Sequence, residues 1–146
     1  MKKILLFALL VLAAGQTFAA EPVSARQNVF KQYKKDVGAM GKMAKGDVAY
    51  NKDEFARLAS HLDELAQQPW QYFTPGTAAG KTAKETDAKP EIWSKPADWQ
   101  KAVDTHKAET AKLKQVAATG DLSAIKAQFG AVQKTCKACH DAFRKD

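Results

Sequence analysis

Sulfur chemistry is nearly absent from this chain: of 146 residues two are cysteine, and both, Cys136 and Cys139, lie in "TCKACH" near the C-terminus. A bridge between them would close only a tiny loop and constrain little of the unfolded chain, so a structural disulfide is a poor reason for their presence. Beyond the first nineteen residues no apolar run is long enough to cross a hydrocarbon core of about 30 Å as a helix. No stretch alternates apolar and polar residues with the period of a strand, and no internal repeat stands out. The formal net charge is +7, yet a basic stripe joined to a nucleic-acid-binding module is missing, which argues against nucleic acid as a partner. Lys34, Lys35, Lys42 and Lys45 read as solvated helix positions, and the positive surface suits long-range attraction of an acidic partner protein.

What is present begins with "MKKILLFALLVLAAGQTFA", in which Lys2 and Lys3 precede an apolar run from Ile4 to Ala14 and then small residues. That order is the charged region, apolar region and cleavage zone of a secretory signal. Residues 1–19 are therefore expected to be a signal peptide cut after Ala19 or Ala20. Residues 20–146 are left as one soluble, exported domain with a single core and no membrane insertion.

From Ala25 onward the pattern is helical. Leu122, Ile125, Phe129, Val132, Cys136, Cys139 and Phe143 are spaced alternately three and four apart, which places both cysteines on the inner seam of a final helix. Gly120 stops the helix before it, and Asp121 or Ser123 caps it. Arg26, Phe30, Tyr33, Val37, Met40 and Ala44 form a similar row in the first helix, headed by an arginine and ended by Gly46. A second helix is predicted from about Lys52 to Gln67, with Asn51 and Glu54 in capping-box spacing and Phe55, Leu58, Leu62 and Leu65 inward. A third runs from about Ala97 to Thr119 with Val103, His106, Thr110, Leu113 and Ala117 inward. Between the second and third lies a long segment rich in Pro, Gly and Thr that also holds Trp70, Tyr72, Phe73, Ile92 and Trp93, too aromatic for a free linker. The fold class is all-α: an antiparallel four-helix bundle with a long crossover between helices two and three.

Cys-x-x-Cys-His is the attachment pattern of a c-type haem. Two thiols three residues apart on one helical face can add to the two vinyl groups, and His140, directly after Cys139, can meet the iron from the same side. A thioredoxin-like pair would follow a strand and open a helix, whereas this pair lies near a helix end. A structural zinc site would need His140 and one of His61 or His106 to complete four ligands. Because the cysteines continue the row of Phe129 and Val132, the haem is expected inside the bundle in a mostly apolar site.

With CKACH closing a four-helix pattern, the chain resembles the cytochromes c′, the class II cytochromes c. The similarity covers nearly the whole mature chain: "ARQNVF" in helix one, Lys45 and Gly46 after it, "QPWQYFTPGT" and "AKPEIWS" in the crossover, "TGDL" before helix four and "CKACHDAFRKD" at the end. The resemblance implies a periplasmic protein with one covalent haem c, usually a homodimer packed through its first two helices, whose iron is five-coordinate and high-spin. It implies thioether bonds to Cys136 and Cys139 and axial ligation by His140. Arg144 would lie beside the proximal face, Arg26 and Gln27 near the propionates, and Asp87 and Lys89 at the haem edge, although a longer insertion precedes the last two here. Phe30, four residues after Arg26, would face the distal side of the iron, where low-spin relatives place a ligating Met.

Phe30 cannot coordinate, so the expected function is single-electron exchange with small redox proteins and binding of small uncharged diatomics, NO and CO, past a bulky ring. An enzymatic role is not expected, since peroxide cleavage needs a distal acid or base and no residue in the Phe30 row of helix one offers one. The alternatives are a haem enzyme acting on NO or peroxide, and a six-coordinate bis-His cytochrome using His106. A lone inward His is more often structural, His61 is expected to be exposed, and Met40 and Met43 are expected to be core filler. The mature polypeptide should retain its red pigment through acid-acetone extraction and carry the mass of one haem. Mass spectrometry showing the bare polypeptide mass would overturn the attachment.

Overall fold

The structure, a computed structural model, describes residues 15–145; for the first six of these only the helical backbone is described. Most of the expected signal peptide, residues 1–14, therefore lies outside the described residues. The elements are α1 (Gly15–Lys45), α2 (Lys52–Leu65), a single 3-10 turn (Pro69–Tyr72), a short α3 (Glu91–Ser94), α4 (Pro96–Thr119) and α5 (Leu122–Phe143). The four long helices make the bundle, and no strand occurs among the described residues beyond an isolated bridge between Ala88 and Arg144.

Local chemistry sets the boundaries. Asn51 caps α2 by accepting from the Glu54 N–H at 3.0 Å, but the Glu54 carboxylate is taken by Arg57 at 2.7 Å, so only half of the capping box forms. That helix stops at Leu65, two residues before the expected end, because Pro69 follows and the chain turns into the 3-10 segment. Pro96 opens α4 at a position where its missing N–H costs nothing. Gly120 ends it with a left-handed φ of 78°, and a Cβ there would lie 2.8 Å from the Lys52 side chain. Asp121, rather than Ser123, caps α5, accepting from the N–H groups of Ser123 and Ala124.

The main core is the inward faces of the bundle: Met40 and Met43 from α1, Phe55, Leu58 and Leu62 from α2, Leu113 and Ala117 from α4, and Ile125, Phe129 and Val132 from α5. Both methionines pack there as expected. A second apolar cluster, Ala88, Ile92 and Phe143 with Phe73, Trp93, Trp99, Ala102 and Cys139 around it, forms where the crossover lies across the end of α5. Helix α1 packs against α2 and the 3-10 turn, α2 against α4, and α4 against α5. The seam between α1 and α5 is the thinnest of those that close the bundle. Because Phe55 is fully buried and meets both Tyr50 and Phe129, Phe55→Ala should lower the unfolding free energy by about 3–5 kcal/mol in a denaturant titration.

Candidate functional site

The two cysteines are free and half-buried, and their surroundings differ. Cys136 packs against the main core, Cys139 against the second cluster beside Trp93 and Trp99. Burial raises both thiols, Cys139 to about 11 with Cys136 adding to the effect. They are therefore protonated at neutral pH, the opposite of the low-pKa thiolate that a redox pair uses. Among the described residues no three His, Cys, Asp or Glu side chains converge as a metal cluster, so neither His61 nor His106 joins the motif in the set that zinc would need. His140 is exposed, and its pKa is lowered, mainly by partial burial and then by Arg144, with Asp141 opposing.

Beyond α5 the chain becomes extended and pairs with the crossover. The Lys89 N–H donates to Phe143 O at 2.9 Å, the Lys145 N–H to Asp87 O at 2.8 Å, and Lys89 Nζ to Asp141 O at 3.0 Å. Arg144 reaches Asp87 at 3.5 Å, an exposed pair of little energetic weight. Asp87, Lys89 and Arg144, scattered in sequence, are thus gathered within a turn of His140.

Arg26 heads the inner row of α1 and is 2% exposed. Its guanidinium donates to Tyr72 O (3.0 Å), Thr77 Oγ1 (2.7 Å), Thr77 O (2.7 Å) and Thr86 Oγ1 (2.9 Å), and lies 4.4 Å from the centre of the Phe73 ring. Burial lowers its pKa to about 10, so it stays charged at neutral pH, although every one of these acceptors is a neutral oxygen. Gln27 is exposed and donates to Glu85 O at 2.9 Å. Both residues therefore hold the crossover onto α1. Tyr72, Thr77 and Thr86 were not visible as site residues in the sequence, because four oxygens from three residues of an irregular loop carry no periodicity.

Phe30 belongs to a continuous cluster of rings. Its centroid lies 5.5 Å from Tyr33, 6.0 Å from Trp70 and 6.3 Å from Phe73. Trp99 extends the cluster to Phe73 (4.8 Å) and Phe143 (5.1 Å). His106 is 5% exposed, stacks on Tyr33 at 5.7 Å and meets the edge of Trp70 at 6.1 Å. Its Nδ1 is 2.7 Å from Thr135 Oγ1, the residue before Cys136. The buried Tyr33 hydroxyl has no hydrogen-bond partner among the described residues, and burial raises its pKa. His61 departs from expectation: it is half-buried, not exposed, because its Nδ1 meets Oδ2 of the buried Asp36 at 2.6 Å, tying α2 to α1.

The family model for cytochrome c′ matches residues 21–144. The chain belongs to the cytochrome c′ family. It is 41% identical to the cytochrome c′ of Halomonas halodenitrificans over 87% of this chain and all of that protein. It is 35% identical to the cytochrome c′ of Alcaligenes xylosoxydans xylosoxydans over 86% and 94% of the two. Among solved structures, cytochrome c′ from Rubrivivax gelatinosus superimposes with a TM-score of 0.81 at 31% identity, covering 87% of this chain and 97% of that one. The nitric oxide complex of a leucine-to-alanine variant of cytochrome c′ from Alcaligenes xylosoxidans gives 0.80 at 34% identity, covering 88% and 96%.

Proteins of the cytochrome c′ family carry covalently attached haem c, and the residues here fit that group. Two free, protonated thiols sit on one helical face between two apolar clusters, and the α1–α5 seam beside them is thin. The buried Arg26 guanidinium has no carboxylate partner among the described residues, and its two terminal nitrogens are bonded to neutral oxygens of the crossover.

Burial lowers the His106 pKa to about 4, with a further contribution from His140. The unfolded chain protonates this group near 6.5, so between about 6.5 and 4 the unfolded state binds more protons than the native one. Stability should fall as the pH drops through that window, by up to about 3 kcal/mol from this residue. In denaturant titrations at pH 7 and pH 4, His106→Phe should lose less stability on acidification than the native sequence; equal losses would contradict the assignment.

Proposed function

We propose that the mature protein is a periplasmic haem carrier in which Cys136 and Cys139 form the two thioethers and His140 supplies the single protein ligand to a five-coordinate, high-spin iron. The observation that carries this reading is the arrangement around CKACH: two half-buried thiols on one face of α5, the imidazole of His140 without a hydrogen-bond partner among the described residues, and a ring with no ligating atom, Phe30, among the aromatic rings of α1 and the crossover. When bound, haem supplies one-electron redox chemistry and an open coordination position for small ligands.

The chain's own residues would shape that chemistry. Phe30, braced by Tyr33, Trp70 and Phe73, imposes a steric cost on anything approaching the distal side. The apolar lining disfavours ions, so NO and CO suit it better than charged ligands. Arg144, next to His140 and tethered to the crossover through Asp87, adds positive charge on the proximal side. Arg26 and Gln27 would sit at the propionates, and Asp87 and Lys89 at the haem edge. The nitric oxide complexes among the structural neighbours agree with diatomic binding. The protein would bind small ligands and exchange electrons with small redox proteins rather than turn a substrate over.

Export and assembly belong to the same proposal. Pro22 lies inside α1, a costly place for proline, but cleavage after Ala19 would move it into the first turn, where it is tolerated. No helix among the described residues is long and apolar enough to cross a membrane. For a homodimer through α1 and α2, the exposed Val48 and the shallow groove beside it, lined by Ala39, Met43 and Ala49, offer apolar contact area.

The test is the optical spectrum of the ferrous protein with and without CO. A high-spin spectrum converted by CO supports the assignment, and a low-spin spectrum indifferent to CO defeats it. Phe30→Ala should accelerate NO and CO association by about tenfold or more, equivalent to ~1.4 kcal/mol of barrier, in flash photolysis or stopped flow. Unchanged rates would remove Phe30 as the gate.

A further inference from the structure

Thr135 Oγ1 lies 2.7 Å from Val132 O as well as 2.7 Å from His106 Nδ1. A hydroxyl has one proton, and Val132 O can only accept, so the Thr135 proton goes to Val132 and Nδ1 of His106 must be the donor in the second bond. This fixes the imidazole as its Nδ1–H tautomer and leaves the lone pair of Nε2, on the far edge of the ring from Thr135, with no protein partner among the described residues. A clamped first nitrogen and a free second one is the arrangement that readies an imidazole to accept a proton or bind an acceptor-seeking group.

The position matters as much as the tautomer. His106 stacks on Tyr33 and meets Trp70, and both of those rings contact Phe30. It therefore reaches, from α4, the same ring cluster that contains the proposed distal residue. Helix one carries no base in its Phe30 row, but the tertiary fold brings one from another helix. Of the other titratable groups, the Tyr33 ring stacks on His106 and His140 acts on its charge, while Cys136 and Asp63 act on Tyr33.

We propose that His106 is a proton acceptor in the ligand pocket, and that it extends the range of ligands from neutral diatomics to small weak acids HX such as hydrogen cyanide or hydrogen sulfide. This rests on the haem reading above. Apolar walls exclude the anion X⁻, so the acid enters neutral. With haem bound, the H–X bond would break, its electron pair leaving with X toward the ferric iron and its proton passing to Nε2 of His106. Charge balances without any oxidant or reductant, and the imidazolium is stabilised beside the bound anion. Burial keeps His106 neutral at pH 7 before the acid arrives, as this step requires.

Cyanide binding to the ferric, haem-loaded protein at pH 7 tests this, read in two ways: affinity from the optical spectrum, and protons released into a weakly buffered indicator solution. Free cyanide is present as HCN at that pH, so a pocket without a base must release about one proton per cyanide bound. The native sequence is expected to release clearly less than one. His106→Phe should release about one and bind roughly tenfold or more weakly. His106→Gln keeps an amide N–H for Thr135 but has no basic nitrogen, and should behave like the Phe variant if that variant does not fold. Full proton release by the native protein, failure of the native ferric protein to bind cyanide, or a Gln variant equal to it in both readouts would each overturn the proposal. A sample without covalent haem would instead bring down the haem reading itself, which mass determination separates from the other outcomes.

Discussion

A buried cation, Arg26, organises the end of the bundle where the crossover meets α1. The guanidinium of Arg26 gathers four oxygens from three separate places in the crossover and stacks on Phe73, all within a 2% exposed site. Desolvating a charge is expensive, and neutral oxygens return only part of what water would give. What the arrangement secures is position: a long segment without regular structure is held against α1, and with it Trp70 and Phe73 are placed against Phe30. Without that anchor the ring cluster would lose one of its walls.

The crossover is pinned a second time, just after Thr86, by the antiparallel pairing of residues 87–89 with the tail that follows α5. Aromatic rings from α1, the crossover, α4 and α5 join into one apolar wall. The main core joins α1, α2, α4 and α5 by ordinary side-chain burial. A chain that must receive a large flat cofactor needs this division of labour: a dense region that fixes helix directions, and a second region whose walls are aromatic and whose polar groups are few. His106 and Tyr33 are the exceptions in that wall, and each leaves a polar atom without a protein partner.

Much of this was legible in the residues. The alternation of three and four in Leu122, Ile125, Phe129, Val132, Cys136, Cys139 and Phe143 is a local property of one helix, and it correctly placed both thiols inward. Gly120, Asp121 and Asn51 marked boundaries because a cap acts within a few residues of itself. His61 was misjudged as exposed since its environment depends on Asp36, twenty-five residues away on another helix. Thr77 and Thr86 escaped notice for the same reason: their role exists only once Arg26 is brought to them.

The amino-acid sequence by itself determined the helical class, the inner faces, the attachment motif and the absence of a ligating side chain at Phe30, because periodicity, capping and residue chemistry are carried along the chain. Only the tertiary structure decided which oxygens receive Arg26, how Asp87, Lys89 and Arg144 meet beside His140, and that an imidazole from α4 joins the Phe30 rings. Those are meetings between residues distant in the chain, set by helix packing and by the path of an irregular crossover, and no local pattern encodes them.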